Sequence, residues 1–163
     1  MKWNALGMVL LMLAAGCGTG RPPRGIRGLI CIGEPLRDAT LHPTALSQDL
    51  ERLWSAPAFS TYSSSEIVTS FCECEARCGG HAAPDLGIAE IVDEAGNVLA
   101  PGQTGEVVVT PLGVEGMPLV RFRTGDVGYL VEKPCACGRN TVRLSPILGR
   151  RAHMLKIRGT TFY

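Results

Sequence analysis

Five of the seven cysteines, Cys72, Cys74, Cys78, Cys135 and Cys137, fall in two short clusters, and His81 belongs to the first of them. Neighbouring thiols in Cys-x-Cys pairs are badly placed to bridge each other, whereas thiolates joined by an imidazole close a tetrahedral zinc shell. The pattern points to metal rather than disulfides. Persistent free thiols in turn point to a reducing compartment, the cytoplasm. Three more segments hold groups that bind ligands: Tyr62-Ser63-Ser64-Ser65-Glu66, Arg121-Phe122-Arg123-Thr124-Gly125-Asp126, and Gly149-Arg150 running on to Lys156-Ile157-Arg158-Gly159. A ring, hydroxyls, two carboxylates and several guanidinium groups are the means to stack a base and to hold hydroxyls and phosphates. Taken singly, each has a plain reading as a Ser-rich turn, a hairpin turn or solvated surface charge.

The elements that must position these groups are legible in outline. Leu29-Ile30-Cys31-Ile32 is a short apolar run suited to a buried strand, ended by Gly33-Glu34-Pro35. In residues 43–54, Leu46, Leu50 and Leu53 recur at helical spacing and predict an amphipathic helix. Residues 59–62 return to strand-like types and run into a turn at Ser63-Ser64-Ser65. This is a strand, helix, strand unit, the elementary block of a parallel sheet. Beyond it, residues 88–92, 106–110 and 119–122 are rich in β-branched or aromatic types, separated by Gly96-Asn97, Pro101-Gly102 and Gly113. β-Hairpins are expected there, with a tight turn at residues 94–98. The expected class is α/β, a strand-helix-strand unit followed by a β-rich subdomain.

A chain of 163 residues with 45% hydrophobic and 19% charged residues has the material for a packed core. A formal charge of +1, with the signs interspersed, gives no field for nucleic acid or an anionic membrane, so small-molecule partners are expected. Against a cytoplasmic setting stands the N-terminus: Met1-Lys2, an apolar stretch and Ala14-Ala15-Gly16-Cys17 read as a lipoprotein signal with Cys17 as the lipid-bearing residue. That stretch is too short to span a bilayer, and export would oxidise the clustered thiols. A lipid-anchored protein is therefore the alternative reading.

In order and spacing, the three segments resemble those of the adenylate-forming superfamily, within it the phenylacetate-CoA ligase-like group, from about Gly25 to the last residue. The resemblance makes residues 26–148 part of the AMP-binding (N-terminal) domain and residues 149–163 the hinge and start of a C-terminal domain, behind an apolar segment and linker at 1–25. Tyr62 to Glu66 is similar to the family's Tyr-Gly-x-Thr-Glu, with serines for the glycine and threonine. It assigns Tyr62 to the adenine, Ser65 to the α-phosphate and Glu66 to a Mg²⁺ ion that neutralises the phosphates. Asp126 is assigned to both ribose hydroxyls, Gly33-Glu34-Pro35 to the side of the adenine, and Arg150 to ribose or phosphate. The hinge departs from the family where Ala152-His153 replaces the usual acidic pair. Some members bind a structural Zn²⁺ through residues matched here by Cys74, His81, Cys135 and Cys137, with Cys72 and Cys78 as spare thiols able to substitute.

The implied reaction joins a carboxylic acid, often an arylacetate, to CoA through an acyl-adenylate formed from ATP. The family's phosphate-cradling loop is not seen upstream of Gly33, and the chain stops at Thr161-Phe162-Tyr163 with strand-like residues in progress. A partial ligase, inactive alone, is the expectation. A zinc-stapled binding module or exported lipoprotein without catalysis is the alternative.

Overall fold

The computed structural model describes residues 25–151 and the backbone of two short strands beyond them, Leu155–Ile157 and Thr160–Phe162. The apolar segment with Cys17, and Ala152-His153, lie outside the described residues. Strand β1 (Leu29–Ile32) leads to helix α1 (Ala45–Trp54) and back to β2 (Ala58–Ser64), which pairs with β1 in parallel, Leu29 opposite Ala58. The anticipated strand-helix-strand unit is present. Thr44 caps α1 by accepting from the Ser47 N–H, and Ser55 ends it in the left-handed conformation. Leu50 packs with Leu29, Leu36 and Ala58 to seal the helix onto the sheet, while Leu53 faces outward.

Strand β2 then turns back at Ser65-Glu66 into β3 (Ile67–Cys72), followed by β4 (Gly80–His81) and, much later, β8 (Arg143–Leu144), giving a five-stranded sheet in the order β1-β2-β3-β4-β8. The predicted turn at Ser63-Ser64-Ser65 begins later than expected, because Ser64 is still paired with Ile67. The second sheet is made of β5 (Gly87–Val92), β6 (Gly105–Pro111), β7 (Phe122–Gly128) and β9 (Gly149–Arg150), all antiparallel. The expected strand at 119–122 starts only at Phe122, since Arg121 takes φ 51°, a left-handed value incompatible with an extended run. Between β5 and β6, Gly96 has φ 88° and Asp93 accepts the Asn97 N–H, forming the tight turn anticipated there. The backbone of β10 (Leu155–Ile157) and β11 (Thr160–Phe162) forms a separate antiparallel pair.

Ile67, Phe71, Ile91, Val107, Val109 and Leu144 bury themselves between the two sheets. That core fixes β4, and β4 approaches β3 so closely that only glycine fits at position 80: a Cβ there would lie 2.5 Å from the Phe71 carbonyl oxygen. Gly80→Ala is accordingly expected to cost about 2 kcal/mol by prying β3 from β4, read as a fall in thermal midpoint together with weaker metal uptake at the adjacent His81.

Candidate functional site

A cavity of about 480 Å³ opens where the two sheets meet. The β1–α1 loop contributes Gly33, Glu34 and Pro35, β2 contributes Tyr62, β7 contributes Asp126, and β9 contributes Arg150. Six residues spread over 118 positions of sequence, from 33 to 150, thus line one space. Asp126 reaches it through an irregularity in β7: Val127 pairs with Glu106 and Arg123 with Val108, so residues 124–126 stand opposite Val107 alone. Gly125 supplies the necessary turn with φ 75°, the Thr124 hydroxyl donates to the Val107 carbonyl at 2.9 Å, and Asp126 is swung inward, 4% exposed. A bulge, rather than a hairpin turn, sets this aspartate.

Both oxygens of Asp126 are engaged. Tyr62 Oη donates to Oδ2 at 2.8 Å and Arg150 Nε donates to Oδ1 at 2.7 Å. Burial above all pushes the Tyr62 phenol well above its ordinary range, with Asp126 adding to the effect and a hydrogen bond with Thr124 opposing it. The phenol therefore stays a neutral donor. Its ring packs against Phe71 with centroids 5.9 Å apart, which fixes the orientation. Arg150 is half-exposed, with the rest of its guanidinium free to reach a ligand on the open side. Behind Asp126, Glu106 accepts from Arg123 Nε, Arg151 NH1 and the Gly125 N–H, anchoring the bulge and the segment after Arg150 to β6.

Ser65 and Glu66 lie on the exposed β2–β3 turn, outside the cavity lining. Ser63 and Ser64, two positions and one position before Ser65, line the cavity instead. The Ser64 hydroxyl, then the backbone, hold the Glu66 carboxyl below its ordinary range. Arg37 and Glu73 also line the cavity, and sequence reading passed over both. Nothing in their local context signals the role, because they are 36 positions apart and meet only in the fold.

Cys74, His81, Cys135 and Cys137 bring one ligand atom each to within 4.8 Å of one another, three of them buried. Cys74 Sγ is 3.5 Å from Cys135 Sγ, and Cys137 Sγ is 3.5 Å from His81 Nε2. Two turns shape the cluster. The Arg77 N–H donates to the Cys74 carbonyl at 2.9 Å and the Gly138 N–H to the Cys135 carbonyl at 3.0 Å. Thr141 Oγ1 lies 2.7 Å from His81 Nδ1, so that Nε2 is left to face the thiols. The Cys135 thiol is held down to about 6, first by the backbone N–H of Cys137, while burial pushes Cys74 up to about 11. A divalent cation bound among these atoms would favour the thiolate forms and displace thiol protons. Four closed ligands of this composition fit zinc in a structural role. Cys78 stands beside them, 3.8 Å from Cys135 Sγ, its own sulfur accepting from Arg143 at 2.8 Å.

No family model matches the chain. It is 46% identical over 93 residues to a phenylacetate-coenzyme A ligase of Thermus thermophilus, covering 56% of this chain and 21% of that protein. With the Pseudomonas putida enzyme of the same name it shares 35% over 122 residues, 72% of this chain and 27% of the relative. Over part of its fold the chain is similar to phenylacetate-CoA ligases of the adenylate-forming superfamily. It spans about a quarter of the length of these relatives. Among solved structures, 2-hydroxyisobutyryl-CoA ligase in complex with 2-HIB-AMP and CoA superposes with a TM-score of 0.70 at 27% identity, covering 85% of this chain and 29% of that one. O-succinylbenzoate-CoA synthetase of Bacillus subtilis, at 21% identity and TM-score 0.55, covers 96% of this chain and 32% of its own length and shares the adenylate-forming fold. Among the described residues, no helix is long and apolar enough to cross a membrane.

Proposed function

We propose that this chain carries the adenosine side of the acyl-adenylate site of an AMP-forming acid–thiol ligase, which converts a carboxylic acid, ATP and CoA into acyl-CoA, AMP and pyrophosphate. The convergence of Gly33-Glu34-Pro35, Tyr62, Asp126 and Arg150 on one cavity carries this reading. A carboxylate with two oxygens held 2.8 and 2.7 Å from neutral and charged donors is already oriented to accept from a vicinal diol. On ligand entry the ribose hydroxyls would replace Tyr62 and Arg150 on Asp126, releasing Arg150 toward the phosphate and leaving the ring of Tyr62 against the base. Ser65 would donate to the α-phosphate and Glu66 would hold Mg²⁺, both from the turn next to the cavity-lining Ser64. The ion, when bound, would neutralise the phosphates and so lower the cost of attack by a carboxylate.

The acid is proposed to be an aryl acid, on the strength of the names of the similar ligases. Residues 149–163 are proposed as the hinge and the beginning of the C-terminal domain, and the cytoplasm as the compartment in which the thiols stay reduced. Cys74, His81, Cys135 and Cys137 are proposed to hold a structural zinc. Calorimetric titration of the zinc-loaded chain with AMP tests the nucleotide assignment: one site per chain is expected, and a folded, zinc-loaded chain that takes up no AMP at millimolar concentration defeats it.

A further inference from the structure

Arg37 and Glu73 form a bidentate ion pair at the cavity wall, their side chains 1% and 2% exposed. Arg37 Nε donates to Oε1 at 3.1 Å and NH2 to Oε2 at 3.0 Å. The other contacts of the pair tie three elements together. Arg37 donates to Ser47 Oγ in α1 at 2.7 Å and to the Ala58 carbonyl at the start of β2 at 2.8 Å, and Glu73 accepts the Ser60 N–H at 2.8 Å. Buried charges of this kind are tolerated only when fully partnered, and displacement of one strands the other. The pair therefore behaves as a rigid strut rather than as a source of stability.

One end of the strut is the loop of Gly33-Glu34-Pro35, two residues before Arg37. The other end is Glu73, whose next neighbour in the chain is Cys74 of the Cys/His cluster. A second wall of the cavity, Gly79-Gly80, runs directly into His81 of the same cluster. We infer that Arg37 and Glu73 are positioning residues through which metal occupancy of the cluster sets the cavity wall. A bound cation holds Cys74, Cys74 fixes Glu73, and Glu73 fixes Arg37 and the loop beside the base. The consequence for nucleotide affinity rests on the function proposed above, whereas the link from metal to wall does not.

Two readouts separate them. In the nucleotide-free chain, hydrogen exchange at the Ser60 N–H, which donates to Glu73, and at the Thr44 N–H, which donates to the Leu36 carbonyl at 3.0 Å, reports the strut directly. Metal removal from the reduced chain should accelerate both, and Glu73→Gln should do so with zinc still bound. Unchanged exchange on metal removal overturns the inference, as does a zinc-loaded Glu73→Gln chain with native exchange. In the second readout, AMP affinity should fall about tenfold on metal removal and by a similar factor in Glu73→Gln, and the two effects should not multiply when combined. Multiplicative losses mean independent actions and reject the coupling. If the wild-type chain binds no AMP, the nucleotide assignment fails while the exchange data still decide the metal-to-wall link.

Discussion

Replacing Cys135 with serine is expected to abolish the uptake of one zinc per chain and to destabilise the fold by at least about 4 kcal/mol, the range in which loss of a metal site falls. The magnitude follows from what the cluster connects. Cys74 follows the end of β3, His81 is in β4, and Cys135 and Cys137 lie on the loop leading to β8. β4 and β8 contribute only two residues each to the sheet, too few to hold their places by ladder hydrogen bonds. Without a cation, three closely packed thiols and an imidazole keep only weak sulfur contacts with one another and the Thr141 hydroxyl, in place of four metal bonds. For a domain with ordinary total stability of about 5–15 kcal/mol, that loss leaves a marginal fold. Metal content by mass spectrometry under reducing conditions, with the thermal midpoint of the same samples, checks the expectation. A serine variant that retains stoichiometric zinc, or one that loses zinc and melts with the wild type, removes the structural role assigned to the cluster.

What the sequence disclosed, and what it hid, follows the range of the interactions. The strand-helix-strand unit was legible because Leu46 and Leu50 repeat at a local period and Leu29 to Ile32 is a local apolar run. Asp126, Arg150 and the four zinc-ligand candidates were legible because each sits in a compact motif. The bulge that aims Asp126 was not, since Thr124-Gly125-Asp126 reads equally as a turn, and only pairing with Glu106 and Val108 distinguishes the two. β4 and β8 escaped notice because two-residue strands have no period to detect. Arg37 and Glu73 carry no local signal, because each is buried against a partner 36 positions away. β2 continues through Ser63, at an irregularity in the pairing, to Ser64 because Ser64 pairs with Ile67 of β3, overriding the preference of serine for turns.

The larger effect on ligand binding belongs to Asp126→Asn, expected to weaken AMP binding roughly 100-fold. Each hydrogen bond to a charged acceptor contributes about 1.5–3 kcal/mol, and two are at stake if the ribose diol binds both oxygens. The amide keeps the shape and one acceptor but turns a nitrogen toward one of its two partners, so a donor meets a donor. Arg150, whose Nε lies 2.7 Å from Oδ1, also loses its countercharge, although at half exposure water compensates much of that. Tyr62→Phe is the contrasting companion: it deletes only the 2.8 Å bond to Oδ2, which the ribose displaces, and leaves the ring on Phe71, so AMP affinity should hold or rise by less than about tenfold, about 1 kcal/mol. A general loss of structure would weaken every ligand alike. The discriminating measurement is therefore the ratio of affinities for AMP and its 2′,3′-dideoxy analogue. The wild-type chain should prefer AMP, because only a ligand with the diol offers Asp126 two donors in exchange for those of Tyr62 and Arg150 and frees the latter for the phosphate. In Asp126→Asn the preference should nearly vanish. If both ligands weaken together and the ratio persists, the diol is read by another residue and Asp126 serves only to tie β7 to β9.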